Sequence, residues 1–284
     1  MAINYASQFL PNIEQQYARG LTSIALERNK KFKFINAKTI NVPTLSLTGY
    51  KDHARDGSKN RGTVSNIYTP MALTHDRDIE FFVDEADIDE TNMVLSAANI
   101  TATFNDEQAI PETDAYRYSK LYQDFKTHGG VVDTTALTAA NILTQFDVMM
   151  EKMDDAGVPE TGRILYVTPT NYTLLKNAEK IQRTLEATGQ AAALNRNVRS
   201  LDDVEIVKVP KDRFKTAYDF TEGFVPAVTA KQIRMILVHP ETAIMAPNKI
   251  ADIYLWKKGE SPESAFGDLY QKVAGVGINA EAEV

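Results

Sequence analysis

The sequence predicts an α+β protein in which a compact α/β unit sits between segments that cannot close a core alone. Three observations carry this. Between residues 131 and 245, helical apolar spacing alternates with short apolar runs, the pattern of helices packed on strands. Before that unit, Val94, Leu95, Ala98, Ala102, Ala109 and Ile110 recur at helical spacing, and Tyr118, Leu121, Tyr122 and Phe125 continue it. Near both ends of the chain, side chains alternate at period two, as in half-buried strands.

Taken in order, Pro11 to Arg19 predicts a short helix stopped by Gly20. KFKFIN and TINVPTLSLT read as strands, the second marked as an edge strand or bulge by Pro43. GYKDHARDGSKNRGT (49–63) holds three glycines and almost nothing apolar, so it reads as a long exposed tip. Residues 38–84 then read as two strands joined by that tip. Such a ribbon is marginal in water unless it lies against something, and so long a polar excursion is unusual in a self-sufficient domain.

The helical run from about residue 91 to His128 has Asp89 or Thr91 as cap and Gly129–Gly130 as stop. Uninterrupted, it spans roughly 50 Å at about 1.5 Å per residue. Pro111 lies within it and predicts a kink, because it removes the bond to the Glu107 carbonyl. Further on, the expectations are a helix over 134–156, a buried strand over 163–168, a helix capped by Thr168 with Pro169 in its first turn, and strands over 204–209 and 233–238. Residues 177–202 read as helix plus mobile loop. KIADIYLWKKG and SAFGDLYQKVAGVGINAE read as two or three closing strands that pack back onto the long helix.

Composition limits the chemistry. The 284 residues include no cysteine, which excludes disulfides, thiolate metal sites and a cysteine nucleophile. A net charge of −7 argues against general phosphate-backbone binding. There is no transmembrane-length apolar run, and the first residues lack the basic and apolar regions of a signal peptide. The charge is uneven. Residues 1–38 are net basic, with Arg28, Lys30, Lys31 and Lys33 clustered, whereas Asp84, Glu85, Asp87, Asp89 and Glu90 crowd into seven positions. His53, His75, His128 and His239 are isolated in sequence and read as ordinary surface or loop histidines. GVPETGR (157–163) has the glycine spacing of a phosphate loop, but Arg163 and Ile164 stand where the lysine and hydroxyl belong, and a strand comes next; it reads as a turn. The aromatics Tyr116, Tyr118, Tyr122 and Phe125 have helical spacing and read as packing residues rather than a base-stacking platform. No local motif assembles a nucleophile, base and oxyanion donor, and none calls for a cofactor.

The order of parts, together with AANITATFNDEQAIPETDAYRYSKLY (97–122), VTPTNYTLLKN (167–177), LVHPETAI (237–244), GDLYQKVAGVGINAEA (267–282) and the opening NYASQFLPNIEQQYARG, resembles the major capsid proteins of tailed bacteriophages that infect Gram-positive bacteria, which have the Hong Kong 97 phage fold. The resemblance implies an N-terminal arm (1–37), an extended E-loop (38–84), a peripheral domain (85–130 with 246–284) built on a long spine helix, and an axial domain (131–245). It implies self-assembly as pentamers and hexamers into an icosahedral shell around double-stranded DNA, without catalysis. The partners implied are other copies of the chain, a separate scaffolding protein, a portal and decoration proteins, with packaged DNA touched only weakly and no membrane. Assembly would take place in the host cytoplasm. Candidate inter-subunit contacts are Lys51, Arg55, Lys59 and Arg61 at the E-loop tip and Arg28, Lys30, Lys31 and Lys33 in the arm, which could meet the acidic strip of Asp84, Glu85, Asp87, Asp89 and Glu90. Some family members cross-link an E-loop lysine to a neighbour's asparagine; Lys51 and Lys59 lie in the tip, but no asparagine or promoting glutamate is assigned. A cleavable leading scaffold segment is not expected. The alternatives are an encapsulin-like shell around cargo enzymes, an α/β enzyme with a site near 157–177, and a mostly β tail component.

Overall fold

The computed structural model describes residues 20–28, 33–36, 39–53, 60–72, 75–84, 97–178, 181, 198–243, 248–256 and 267–276. The expected helix over 11–19, the caps at Asp89 and Thr91, and most of 177–202 lie outside them.

The α/β unit is organised by β5 (Ile164–Val167), whose four residues are all buried. It runs parallel to β7 (Val204–Lys208) and antiparallel to β10 (Met235–Val238), in a sheet ordered β10-β5-β7-β6. The edge strand β6 (Ser200–Leu201) reaches β7 through a two-residue turn with Asp202 and Asp203 both at positive φ, the geometry of a hairpin turn that matches strand twist. Both faces of β5 are covered, so its sequence is continuously apolar. Leu165 and Val167 pack with Ile142, Phe146, Tyr172 and Leu175, while Ile164 and Tyr166 pack with Leu26, Tyr118 and Phe214. Fully burying one such side chain stabilises by about 1.5–3 kcal/mol.

Ile142 and Phe146 lie on α3 (Ile142–Asp155). This helix starts later than the expected residue 134. The Thr138 amide donates to Asn141 Oδ1 at 2.7 Å and the Asn141 amide to Thr138 Oγ1 at 3.3 Å, so these short polar side chains build a turn where apolar spacing alone suggests helix. Tyr172 and Leu175 lie on α4 (Pro169–Lys176), where Thr168 is the cap, accepting from the Asn171 amide, and Pro169 opens the helix, as expected.

The long helix runs as α1 (Ala97–Phe104), a π turn (Asn105–Ala109) and α2 (Ile110–Thr127). The irregularity expected at Pro111 takes the form of this wide turn, in which the Ile110 amide bonds the Asn105 carbonyl five residues back. The wider turn accommodates a pyrrolidine ring that would otherwise meet the carbonyl four residues before it. Gly129 at φ +85° and Gly130 end α2. Gly129 N–H donates to Lys126 O and Gly130 N–H to Phe125 O, the pair of bonds that caps a helix through a left-handed residue.

Among the described residues, 38–84 hold three strands in two sheets, not two strands in one ribbon. β2 (Thr39–Leu47) pairs with β3 (Val64–Ala72) over nine residues, and β1 (Lys33–Asn36) covers only Thr39–Asn41. β2 is therefore central in sheet order, yet at Pro43 its β1 side is an edge, where the missing N–H costs no ladder bond. β4 (His75–Asp84) leaves the ribbon for a second sheet ordered β11-β12-β4, pairing along its full length with β12 (Gly267–Val276), which in turn pairs with β11 (Asn248–Trp256). The late strands therefore reach the long helix through β4: Phe81 packs edge-on against Phe104, and His75 and Arg77 contact Glu112. A short hairpin of β8 (Tyr218–Asp219) and β9 (Val225–Pro226) lies beside α2.

Candidate functional site

Two features stand out: an exposed ribbon and a buried polar junction. In the ribbon, strand register places Pro43 opposite Tyr68, Leu45 opposite Asn66, and Leu47 opposite Val64 on one face, with Thr44 opposite Ile67 and Ser46 opposite Ser65 on the other. The first face is apolar apart from Asn66, and nothing among the described residues covers it. Leu45 is 62%, Leu47 63%, Val64 70% and Tyr68 58% exposed. Contiguous exposed apolar side chains are the kind of patch that marks interaction surfaces in general. Its end is closed by reciprocal bonds between Thr48 and Thr63 and by the Asn60 amide donating to Asp52 O at 2.7 Å.

The tip residues Lys51 and Arg61 are exposed beyond this closure; Arg55 and Lys59 lie outside the described residues. Of the arm set, Arg28 ends a 3-10 turn (Ile24–Arg28) and Lys33 begins β1, while Lys30 and Lys31 lie outside. Of the acidic strip, Asp84 ends β4 opposite Gly267, and Glu85, Asp87, Asp89 and Glu90 lie outside. The tip, arm and acidic residues are not brought together among the described residues.

The junction surrounds α2. Residues 110–111 and 113–119 are all buried although the helix is rich in polar residues, because three neighbours pack against it. From the chain's beginning, Thr22 and Ser23 donate both amides and both hydroxyls to Asp114, at 2.7–3.2 Å. From the α/β unit, Arg213 Nη1 donates to Asp114 Oδ2 at 3.3 Å. From β4, His75 Nε2 at 3.2 Å and Arg77 Nε at 3.0 Å meet Glu112 Oε1, and Arg77 also donates to the Phe220 carbonyl. Arg117, fully buried, pairs with Glu27 and donates to Ser23 Oγ at 3.1 Å. A buried charge is tolerated only when paired and hydrogen-bonded in this way.

Two histidine readings are corrected here. His75 is buried, stacked on Tyr116 with ring centroids 4.1 Å apart and set edge-on to Phe220. His239 is buried too, with Nε2 at 3.1 Å from Thr161 O. His75 lies in a polar stretch and His239 directly follows the apolar strand Met235–Val238, and the partners of both are distant in the chain. His53 and His128 are exposed, as read. Tyr116 and Tyr118 are packing residues, as their spacing implies. Burial and then the charge of Asp114 push the Tyr118 phenol well above its ordinary pKa. The 157–163 stretch is a turn, with Gly157 and Gly162 at positive φ, and the fully buried Arg163 fastens it to Asp154 Oδ1 and to the Val158 and Pro159 carbonyls. Among the described residues, no group of three or more His, Cys, Asp or Glu side chains is placed to hold a metal ion, and no helix is long and apolar enough to cross a membrane.

No protein-family model matches the chain, and no curated protein matches it. Solved structures do. A structure from Mycobacterium phage Che8 superimposes with a TM-score of 0.60 at 16% identity, covering 93% of this chain and 86% of that one. The mature capsid of bacteriophage PhiM1 gives 0.57 at 16% identity, covering 86% and 79%. A virus-like particle from Pyrococcus furiosus gives 0.51 at 10% identity, covering 98% and 96%. The fold is thus the α+β fold of phage capsid proteins, the Hong Kong 97 type that the sequence resemblance implies.

Proposed function

We propose that this chain is the structural major capsid protein of a tailed bacteriophage, located in the virion capsid and acting by self-assembly rather than catalysis. The observation that carries the reading is the capsid fold, shared over nearly the whole chain with phage capsid structures. The exposed apolar ribbon face supports it, since a hairpin of this kind gains stability only against another surface. In this reading residues 38–84 serve as the E-loop lying on a neighbouring subunit, residues 1–37 as the arm, residues 85–130 with 246–284 as the peripheral domain around the spine, and residues 131–245 as the axial domain. Subunits form pentamers and hexamers of an icosahedral shell around double-stranded DNA, with a scaffolding protein, portal and decoration proteins as further partners. An acidic inner wall would let DNA slide without sticking. Lys51, Arg55, Lys59 and Arg61 make E-loop contacts. Arg28, Lys30, Lys31 and Lys33 steer the arm towards Asp84, Glu85, Asp87, Asp89 and Glu90 of a neighbour, fixing register more than affinity. Reversing Lys30, Lys31 and Lys33 then alters assembly and its salt dependence; unchanged assembly contradicts the pairing.

A second reading, an encapsulin-like shell around protein cargo, is favoured by the likeness to the virus-like particle. Expression of the chain alone, then sedimentation and negative-stain electron microscopy, tests both. Shells, tubes or ring-shaped capsomers are expected; small uniform closed particles that co-purify with an enzyme favour the second reading; a compact monomer at high concentration, even with scaffold added, defeats both. Deleting residues 51–63 is expected to leave the chain folded and to block closed shells.

A further inference from the structure

We propose that residues 20–28 are a reversible latch, with Asp114 as its receptor, and that the latch opens locally while the rest of the fold stays intact. The segment is seated like a docked peptide. Leu21 and Leu26 are its buried apolar anchors, and Ile24 between them is exposed. Gly20 passes so close to α2 that a Cβ there would lie 2.6 Å from Ile110 Cδ1. Between the anchors, Asp114 Oδ2 accepts from Thr22 N at 3.2 Å and Thr22 Oγ1 at 2.8 Å, and Oδ1 accepts from Ser23 N at 3.1 Å and Ser23 Oγ at 2.7 Å. Glu27 pairs with Arg117 at the far end.

The balance of these contacts separates a latch from a core element. Only Leu26 of this segment is buried within the central apolar cluster, with Ala25 packed against it. From Ile24 to Arg28 its regular structure is a five-residue 3-10 turn, which has little stability of its own. The next strand, β1, pairs with the ribbon and not with the α/β unit. The four bonds to Asp114 fix a single register and fail together when that carboxylate is changed, leaving two leucine anchors and the Glu27–Arg117 pair. Segments with few apolar anchors open locally, at a lower free energy than the whole fold. The latch's consequence for assembly rests on the shell reading; the latch itself does not.

Amide hydrogen exchange on the full chain, under dissociating conditions, tests it. The Thr22 and Ser23 amides are expected to exchange about tenfold or more faster than those of Leu165 and Val167, the β5 residues whose side chains face the cluster away from Leu26. Asp114→Asn is expected to speed Thr22 and Ser23 exchange a further ten- to hundredfold, roughly, with β5 unchanged. Ser23→Ala, a milder change, should act in the same direction. Equal wild-type rates in the segment and β5 would overturn the proposal, as would a loss of β5 protection in step with residues 22–23 in Ser23→Ala. These rates are read on unassembled protein, so failure to form shells leaves the result intact.

Discussion

The β2–β3 ribbon and the β5-centred sheet are built from similar apolar strand residues, yet among the described residues β5 is covered on both faces while Leu45 and Ile67, on opposite faces of the ribbon, both stand exposed. Leu165 is fully buried; Leu45, also a strand leucine, is 62% exposed. The difference lies in the segment that each strand leads into. β5 runs at once into a capped helix that folds back over it, whereas β2 runs into a polar tip that returns only its own partner, β3. Apolar alternation marks a face that needs covering and is silent on which chain covers it.

Substitutions at the two leucines should show the largest contrast. Leu165→Ala removes a fully packed side chain and is expected to destabilise the chain by about 3 kcal/mol in chemical denaturation. A change within about 0.5 kcal/mol would mean that the sheet around β5 is loosely packed. Next in size is an alkaline effect confined to the packed region. Tyr118 and Tyr218 are both held above the ordinary phenol value of 10, chiefly by burial. Because the folded-state pKa is raised, the stability these groups contribute is complete below pH 10 and is lost as pH rises above it. The unfolded chain ionises first, at about 1.4 kcal/mol per pH unit for each tyrosine. Tyr118→Phe should reduce that slope in denaturation series between neutral pH and the alkaline limit. Thr168→Ala, which removes the cap of α4, is expected to cost about 1 kcal/mol. The smallest effect belongs to the ribbon: Leu45→Ala should leave the stability of the isolated chain within about 0.5 kcal/mol while weakening assembly. A large loss of stability in the isolated chain would mean that Leu45 already has a cover.

Much of this contrast is legible in the sequence. ILYV reads as buried because its apolar run is unbroken, Thr168–Pro169 reads as a helix start, and the long polar stretch after Leu47 reads as an exposed tip. Local chemistry determines each of these. The junction around α2 is not legible. Asp114 binds residues more than ninety positions away and Arg213 ninety-nine away, and in sequence all of them look like ordinary helix-surface or loop polars. The pairing of Thr22 and Ser23, two adjacent hydroxyl residues near a glycine, is the available hint. The break between β3 and β4 escapes a sequence reading because period two continues through it; only the pairing partners change. The start of α3 is misplaced by apolar spacing because Thr138 and Asn141 cap a turn inside an otherwise helical pattern.

The central claim is that the apolar ribbon face is finished by another copy of the chain. Hydroxyl-radical footprinting of wild-type protein, dissociated and assembled, tests it most directly. Leu45, Leu47, Val64 and Tyr68 should be strongly protected on assembly, while Thr44 and Ser46 on the opposite face change less. Equal labelling of Leu45, Leu47, Val64 and Tyr68 in dissociated protein and in assembled particles would contradict that claim.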